Sequence, residues 1–303
     1  MVLLEVLGID LFLYLSLIIA GFFIGIVASM VGIGGGLLTV PMLMYLYGFP
    51  NNVSSAISSA VIIGTSSSGA YSYFKQHRID LRTGVYFVLI AIPSSFLGGI
   101  LADTLANDLL TGLFGIMMIL ISIRKILFDK KKEPESEFLD DPLHASKTGI
   151  GQSNYKNYGI IPQSIEERHI IDDEGEEFHY HVNLRKTLLG ALFGGIIGGM
   201  LGVGGGIIFV PVLTSIGGVP PHLAVATSTF TILFASTSAT ASRIIGGKIL
   251  WDYVIALMLG TVFGARLGAL KVKKIKSRNV LIMFYIIVII TGIRTILQAA
   301  GLM

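Results

Sequence analysis

The stretch Gly32-Ile33-Gly34-Gly35-Gly36-Leu37-Leu38-Thr39-Val40-Pro41 decides how this chain folds, because it returns 170 residues later as Gly202-Val203-Gly204-Gly205-Gly206-Ile207-Ile208-Phe209-Val210-Pro211. The same offset aligns Gly48-Phe49-Pro50 with Gly218-Val219-Pro220 and Ile123-Arg124 with Ile293-Arg294. Residues 21–128 therefore recur, without a gap, at 191–298. Both glycine knots lie in apolar stretches long enough to cross a bilayer. A broken membrane helix at corresponding positions of two homologous halves points to a transporter's binding site. The expected architecture is an all-α integral membrane protein with two homologous repeats, each holding a broken helix folded as a re-entrant hairpin. Repeat one occupies 1–128, a polar cytoplasmic linker 129–186, and repeat two 187–303.

Composition supports a membrane protein. The chain is 53% hydrophobic and 14% charged, with mean hydropathy +0.77, whereas charged residues make up about a quarter of ordinary soluble domains. Apolar runs of spanning length recur near 11–31, 54–74, 84–103, 107–128, 222–243, 251–271 and 279–300. The first is flanked by Glu5 and Asp10 and lacks a basic leader, so it reads as a span and not as a cleaved signal peptide. With no cysteine there is no disulfide, thiolate nucleophile or Cys-based metal centre. The formal charge of +3 conceals an acidic linker and a basic membrane portion. Basic residues beside spans are topology signals, not a nucleic-acid surface.

The linker begins Lys130-Lys131-Lys132 and holds four of the six histidines. Its proline and polar content reads as a mobile or lightly structured connection. Glu177-Phe178-His179-Tyr180-His181-Val182 alternates enough for a strand. His179 and His181 have strand spacing for a metal, but no second pair accompanies them, so no metal site is assigned.

Counting passes relates the halves. The segments after the knots, 37–47 and 207–216, are about ten residues, or roughly 15–16 Å, half of a hydrocarbon core. A hairpin returning to its side of origin makes five segments per repeat, an odd number, and inverts the second copy. With the Lys-rich linker start in the cytoplasm, the loop 75–82 and the basic loop Lys271–Arg278 also fall there, and the Asp103–Asp108 turn lies outside. Arg243 and Lys248 then lie outside, against the rule. A parallel pair of four-pass repeats remains the alternative.

A helix starting at Leu37, and again at Ile207, directs free backbone N–H groups and a positive dipole end toward the bilayer centre. Two such ends converging on a pseudo-twofold axis would bind one small anion without a charged side chain. The expected substrate-binding residues are Gly34, Gly35, Gly36, Leu37, Gly204, Gly205, Gly206 and Ile207. Hydroxyls at equal depth on the following helices join them: Thr65 and Ser66 in the first half, Ser236 and Thr237 in the second. These would suit an oxyanion or a sodium ion, or else bond helix to helix at about 0.6 kcal/mol each. Ser58-Ser59 and Ser228-Thr229 lie shallower, along an access route. Arg266, near the end of its span, either snorkels to the interface or attracts the anion. Gly21, Gly25, Gly194, Gly195, Gly198 and Gly199 read as close-packing positions. No nucleophile–base pair, metal cluster or acidic pair sits at membrane depth, so an enzyme is not expected, and neither is a cofactor.

Paired Gly-x-Gly-Gly-Gly motifs followed by Val-Pro, one per half, resemble the TauE/SafE family of sulfite-exporter-type permeases. Gly264-Ala265-Arg266-Leu267-Gly268 is similar to that family's Gly-Ala-x-x-Gly helix, while Pro93-Ser94-Ser95-Phe96-Leu97-Gly98 departs from it in the first half. The resemblance implies a multi-pass carrier in the cytoplasmic membrane that moves a small sulfur-containing anion: sulfite, thiosulfate or a sulfonate. A coupling ion, H+ or Na+, and a homo-oligomer are both compatible with it. An anion channel of the same fold, and a membrane scaffold acting through the linker, are the competing functions.

Overall fold

The computed structural model describes residues 2–32, 34–129, 165–173, 175–271 and 278–301. The Lys-rich linker start and most of the basic loop Lys271–Arg278 lie outside the described residues. Among the described residues, ten helices and one β-hairpin follow in order: α1 Val2–Val31, α2 Gly36–Leu46, α3 Asn51–Lys75, α4 Leu81–Thr104, α5 Asn107–Asp129, β1 Ile165–Ile171, β2 Glu177–Asn183, α6 Leu184–Leu201, α7 Gly206–Pro211, α8 Pro221–Ile245, α9 Trp251–Lys271 and α10 Arg278–Ala299. A π-helical turn, Val212–Ile216, extends α7. Shifted by 170, α2 matches α7 with its π turn, and α3 matches α8 end for end.

Five stretches are long and apolar enough to cross a membrane among the described residues: Leu11–Met30, Leu81–Thr104, Leu184–Leu201, Pro221–Ile245 and Trp251–Leu270. The chain is an all-α multi-pass membrane protein. Sequence logic accounts for the breaks. Gly48 and Gly218 adopt positive φ, 72° and 77°, and Pro50 and Pro220 follow them at the N-caps of α3 and α8. A left-handed glycine ends each short helix, and an extended proline then starts the next.

Each half's first helix lies along the other half's fourth. Along α1 and α9, a Cβ on Gly260 would overlap Ile18, one on Gly264 would overlap Phe22, and one on Gly268 would overlap Ile26 and Ser29. These contacts advance together, so α1 and α9 run the same way. On α6 and α4, Gly195 meets Ser94 and Ser95, and Gly98 meets Ile196 and Met200, again in parallel. Lipid tails are as apolar as leucine, so helices in a bilayer associate through backbone approach of this kind.

Direction follows from further contacts. Gly64 faces Met258 and Val262, and Ser68 Oγ donates to Val262 O at 2.9 Å, so α3 also parallels α9. Since α1 and α3 both run with α9, α2 carries the chain back between them. By contrast α5 and α10, at equivalent places in the two halves, run antiparallel: Gly112 faces Ala299, Gly115 faces Ile296, and Gly292 faces Ile119.

At the C-terminal end of 129–186 the strand expected at 177–182 forms as β2 and pairs with β1, a strand the sequence did not announce. Alternation operates on both strands: Ile170, Phe178, Tyr180 and Val182 share one face and pack on Phe87, Leu213 and Val219. Buried polar contacts anchor the hairpin to the α3–α4 turn. Arg78 Nη2 lies 3.1 Å from Asp172 Oδ2, both side chains buried, and Tyr180 Oη donates to Asp80 Oδ2 at 2.9 Å. Burial, first, and the Asp80 carboxylate push the Tyr180 phenol well above its ordinary pKa, which keeps it a hydroxyl donor.

Candidate functional site

The candidate site is the place where the two helix breaks touch. Gly32, Gly34 and Gly35 have φ of 74°, 76° and 94°; Gly202, Gly204 and Gly205 have 68°, 75° and 79°. Three left-handed residues within four positions are accessible to glycine without steric strain. They turn the chain so that Gly35 caps α2 and Gly205 caps α7. The short helices thus begin at Gly36 and Gly206, one residue before the expected starts. Leu38 and Thr39 donate their N–H groups to Gly35 O at 3.0 Å, and Ile208 and Phe209 donate theirs to Gly205 O at 2.9 Å. The N–H groups of Gly36, Leu37, Gly206 and Ile207 stand ahead of that first helical bond.

The knots touch. A Cβ on Gly36 would overlap Gly202 O and Val203 Cα, and Gly34 faces Val203 O. Gly34 and Gly204 each pack against the same two side chains, Ile62 of α3 and Ile232 of α8, which stand at equivalent places in the halves. Ile62 and Ile232 are fully buried, as is Leu37 at 1%, with Ile207 at 6%. Gly35 instead packs on Ile24 and Ala28 of α1, while Gly205 packs on Gly194 O and Phe209. Gly34, Gly36 and Gly204 therefore lie together, closed by the two isoleucines, while Gly35 and Gly205 face helices of their own halves.

Hydroxyls brace the knots crosswise. Ser58 Oγ of α3 donates to Gly202 O at 2.6 Å, and Ser228 Oγ of α8 donates to Gly32 O at 3.3 Å. Each helix after a hairpin thereby ties down the other half's break. Sequence reasoning assigned Ser58 and Ser228 only to an access route. The available signal was their offset of 170 on the helices that follow the hairpins.

The deeper hydroxyls are placed otherwise. Thr65 Oγ1 donates to Val61 O of its own helix at 3.2 Å. Ser236 and Thr237 both donate to Leu233 O, at 3.2 and 2.7 Å, and Thr237 is exposed. Ser66, 1% exposed, has a buried Oγ without a hydrogen-bond partner, one helical turn beyond Ile62. Ser68 and Ser238 are interhelical bonds, the latter to Ile92 O at 2.7 Å.

Arg266 is not at the knots. It lines a cavity of about 340 Å³ between α3 and α9, with Gly64, Ser67, Ser68, Tyr71, Val262 and Phe263. A second cavity, about 370 Å³, lies between α5 and α7 and is lined mainly by apolar groups, including Met117, Ile207 and Pro211. Gly264 and Gly268, either side of Arg266, serve the α1–α9 contact.

Arg243, placed by charge counting at the outer end of its span, is fully buried. It bonds Asp103 Oδ1 at 3.3 Å and the carbonyls of Gly199, Met200 and Asn52 at 3.3, 2.9 and 3.1 Å. A cation here complements the C-terminal dipole of α6. Its counterpart Tyr73 donates to Ser29 O at 2.8 Å, the carbonyl equivalent to that of Gly199. As a charge at the end of a span Arg243 reads in the sequence only as a topology signal, which hides this bond.

Helices long and apolar enough to cross a membrane, enclosing two glycine-broken segments that touch, fit a membrane transporter. The profile of the sulfite exporter TauE/SafE family matches residues 17–295, and the chain belongs to that family. It is 30% identical over 292 residues to the probable membrane transporter protein YunE of Bacillus subtilis, covering 94% of this chain and 98% of that one. A probable membrane transporter protein of Methanocaldococcus jannaschii is 24% identical over 292 residues, 91% of this chain and 93% of its own. Sulfite exporter TauE/SafE family protein 6 of Arabidopsis thaliana is 21% identical over 323 residues, 86% of this chain and 74% of its own. No solved structure matches the chain significantly.

Proposed function

We infer that the protein is a secondary transporter that moves a small sulfur-containing anion (sulfite, thiosulfate or a sulfonate) across the cell membrane by alternating access about the two knots. The observation that carries this reading is the meeting of both knots on the Ile62–Ile232 pair. Parting that pair would open the N-terminal N–H groups of α2 and α7 to an anion held without a charged side chain. The unpartnered Ser66 hydroxyl, one turn away, is a ready donor to it. Arg266 would draw anions toward the bundle end. The antiparallel α5 and α10 support inverted repeats, with the hairpin end of the bundle cytoplasmic. A gradient of the substrate, or of H+ or Na+, would drive the cycle. Sulfur enters through the family and through the name of the Arabidopsis relative.

The test is thermal shift of the purified protein with sulfite, thiosulfate, sulfate, taurine and a simple alkyl sulfonate, followed by liposome flux. Stabilisation by one sulfur oxyanion, lost in Gly35→Leu, is the expected result. Gly35 at φ 94° does not accept a Cβ without strain, so that variant distorts the knot. No shift with any of the five removes the substrate class. Non-saturating flux without exchange would make the protein a channel.

A further inference from the structure

We propose that the outer face of the β-hairpin is a binding site for a divalent transition-metal ion, Zn2+ foremost, formed by His169, Glu177 and His179. Antiparallel register sets His169 directly opposite His179. Their rings stack with centroids 4.2 Å apart and planes 16° from parallel. The Glu177 carboxylate, two residues before His179 on β2 and diagonal to His169, has Oε2 at 3.5 Å from His169 Nε2 and 3.7 Å from His179 Nε2. One ligand atom from each residue falls within 4.8 Å of the others.

Those separations suit zinc. Tetrahedral ligands about 2.0–2.1 Å from the ion stand about 3.3–3.5 Å from one another. Two of the three edges are therefore near their bound length already, and closing the third needs only rotation of exposed imidazoles. Two imidazoles and one carboxylate prefer zinc, copper or nickel over magnesium or calcium, which take oxygen ligands. Three protein ligands leave a fourth position for water. The strand-spaced pair His179 and His181, which the sequence suggested, is not the set the fold assembles: His181 sits opposite Glu167.

The scaffold is held from behind. The inner face of the same hairpin carries the buried Arg78–Asp172 pair and the Tyr180–Asp80 bond. Its carbonyl at His181 abuts Gly218 in the turn between α7's π extension and α8. A bound ion would cross-link β1 to β2 close to their turn and stiffen a polar element that rests against the turn before α8.

The experiment is titration of full-length protein in detergent with Co2+ as a spectroscopic probe and Zn2+ as competitor. The expected result is one equivalent of Co2+ with ligand-field bands of a low-coordinate site, displaced by Zn2+ and untouched by Mg2+. His169→Ala and His179→Ala should weaken binding at least about tenfold, while His181→Ala should leave it unchanged. All three side chains lie on the exposed face, at 46%, 59% and 62%, so helix content by circular dichroism should stay at the wild-type value in each variant. Absence of Co2+ bands, or a loss in His181→Ala equal to that in His169→Ala, would overturn the assignment.

Discussion

Ser58 and Ser228 do for the knots what no glycine can. A break within a bundle leaves carbonyls without helical partners, and each must be satisfied where water is excluded. Gly202 O and Gly32 O receive hydroxyls from the opposite half. Ser58→Ala leaves Gly202 O unpaired and should cost about 1–3 kcal/mol, seen as a lower unfolding temperature in detergent. Ser228→Ala, with the longer bond, should cost less. If Ser58→Ala melts with the wild type, the crosswise bond does not brace the break. The glycines were legible because they cluster, repeat and precede Val-Pro. The serines were not: hydroxyls are frequent on α3 and α8, and sequence alone cannot tell one that crosses to the other half from one that bonds its own helix, as Thr65 and Ser236 do.

At the scale of the element, equivalent positions in the two halves solve one problem with different chemistry. The end of α1 is held by a neutral phenol, Tyr73 to Ser29 O. The end of α6 is held by a guanidinium, Arg243, itself paired to Asp103. Removing a buried charge partner costs more than removing a neutral donor. Arg243→Met should lose about 3–5 kcal/mol because three carbonyls lose their donor at once, even though Asp103 keeps Lys248 at 3.3 Å, against about 1 kcal/mol for Tyr73→Phe. Thermal unfolding of the two variants side by side decides this. Equal losses would mean that the charge adds nothing to the cap. Helix count, hairpin lengths and the strand at 177–182 could be read from period and turn residues. The partner strand β1 could not, since its sequence Ile165–Ile171 holds a polar, charged run at 166–169 whose inward side appears only once register with β2 is known. Pairing across halves, α1 on α9 and α6 on α4, was likewise hidden. Small residues announce close packing without naming the neighbour.

For the whole molecule, the open question is which way each half faces. Offset places Lys75 at the end of α3 and Lys248 just after α8 in equivalent turns. In a parallel pair of repeats these turns share a side of the membrane. In inverted repeats they do not. The described contacts favour inversion: α1, α3 and α9 run one way, α4, α6 and α8 the other, and α5 opposes α10. On that pattern the β-hairpin, Lys75 and Lys186 share one end of the bundle, and Asp103, Asp108 and Lys248 share the other. The protein contains no cysteine, so single substitutions report position without background. Lys75→Cys and Lys186→Cys in intact cells should resist a membrane-impermeant maleimide and react after permeabilisation. Asp108→Cys and Lys248→Cys should react from outside. The Lys75 and Lys248 pair is decisive, because labelling of both from the same side contradicts inversion. The two knots would then no longer be related by an axis in the membrane plane, and the shared anion site proposed between them would lose its symmetry argument.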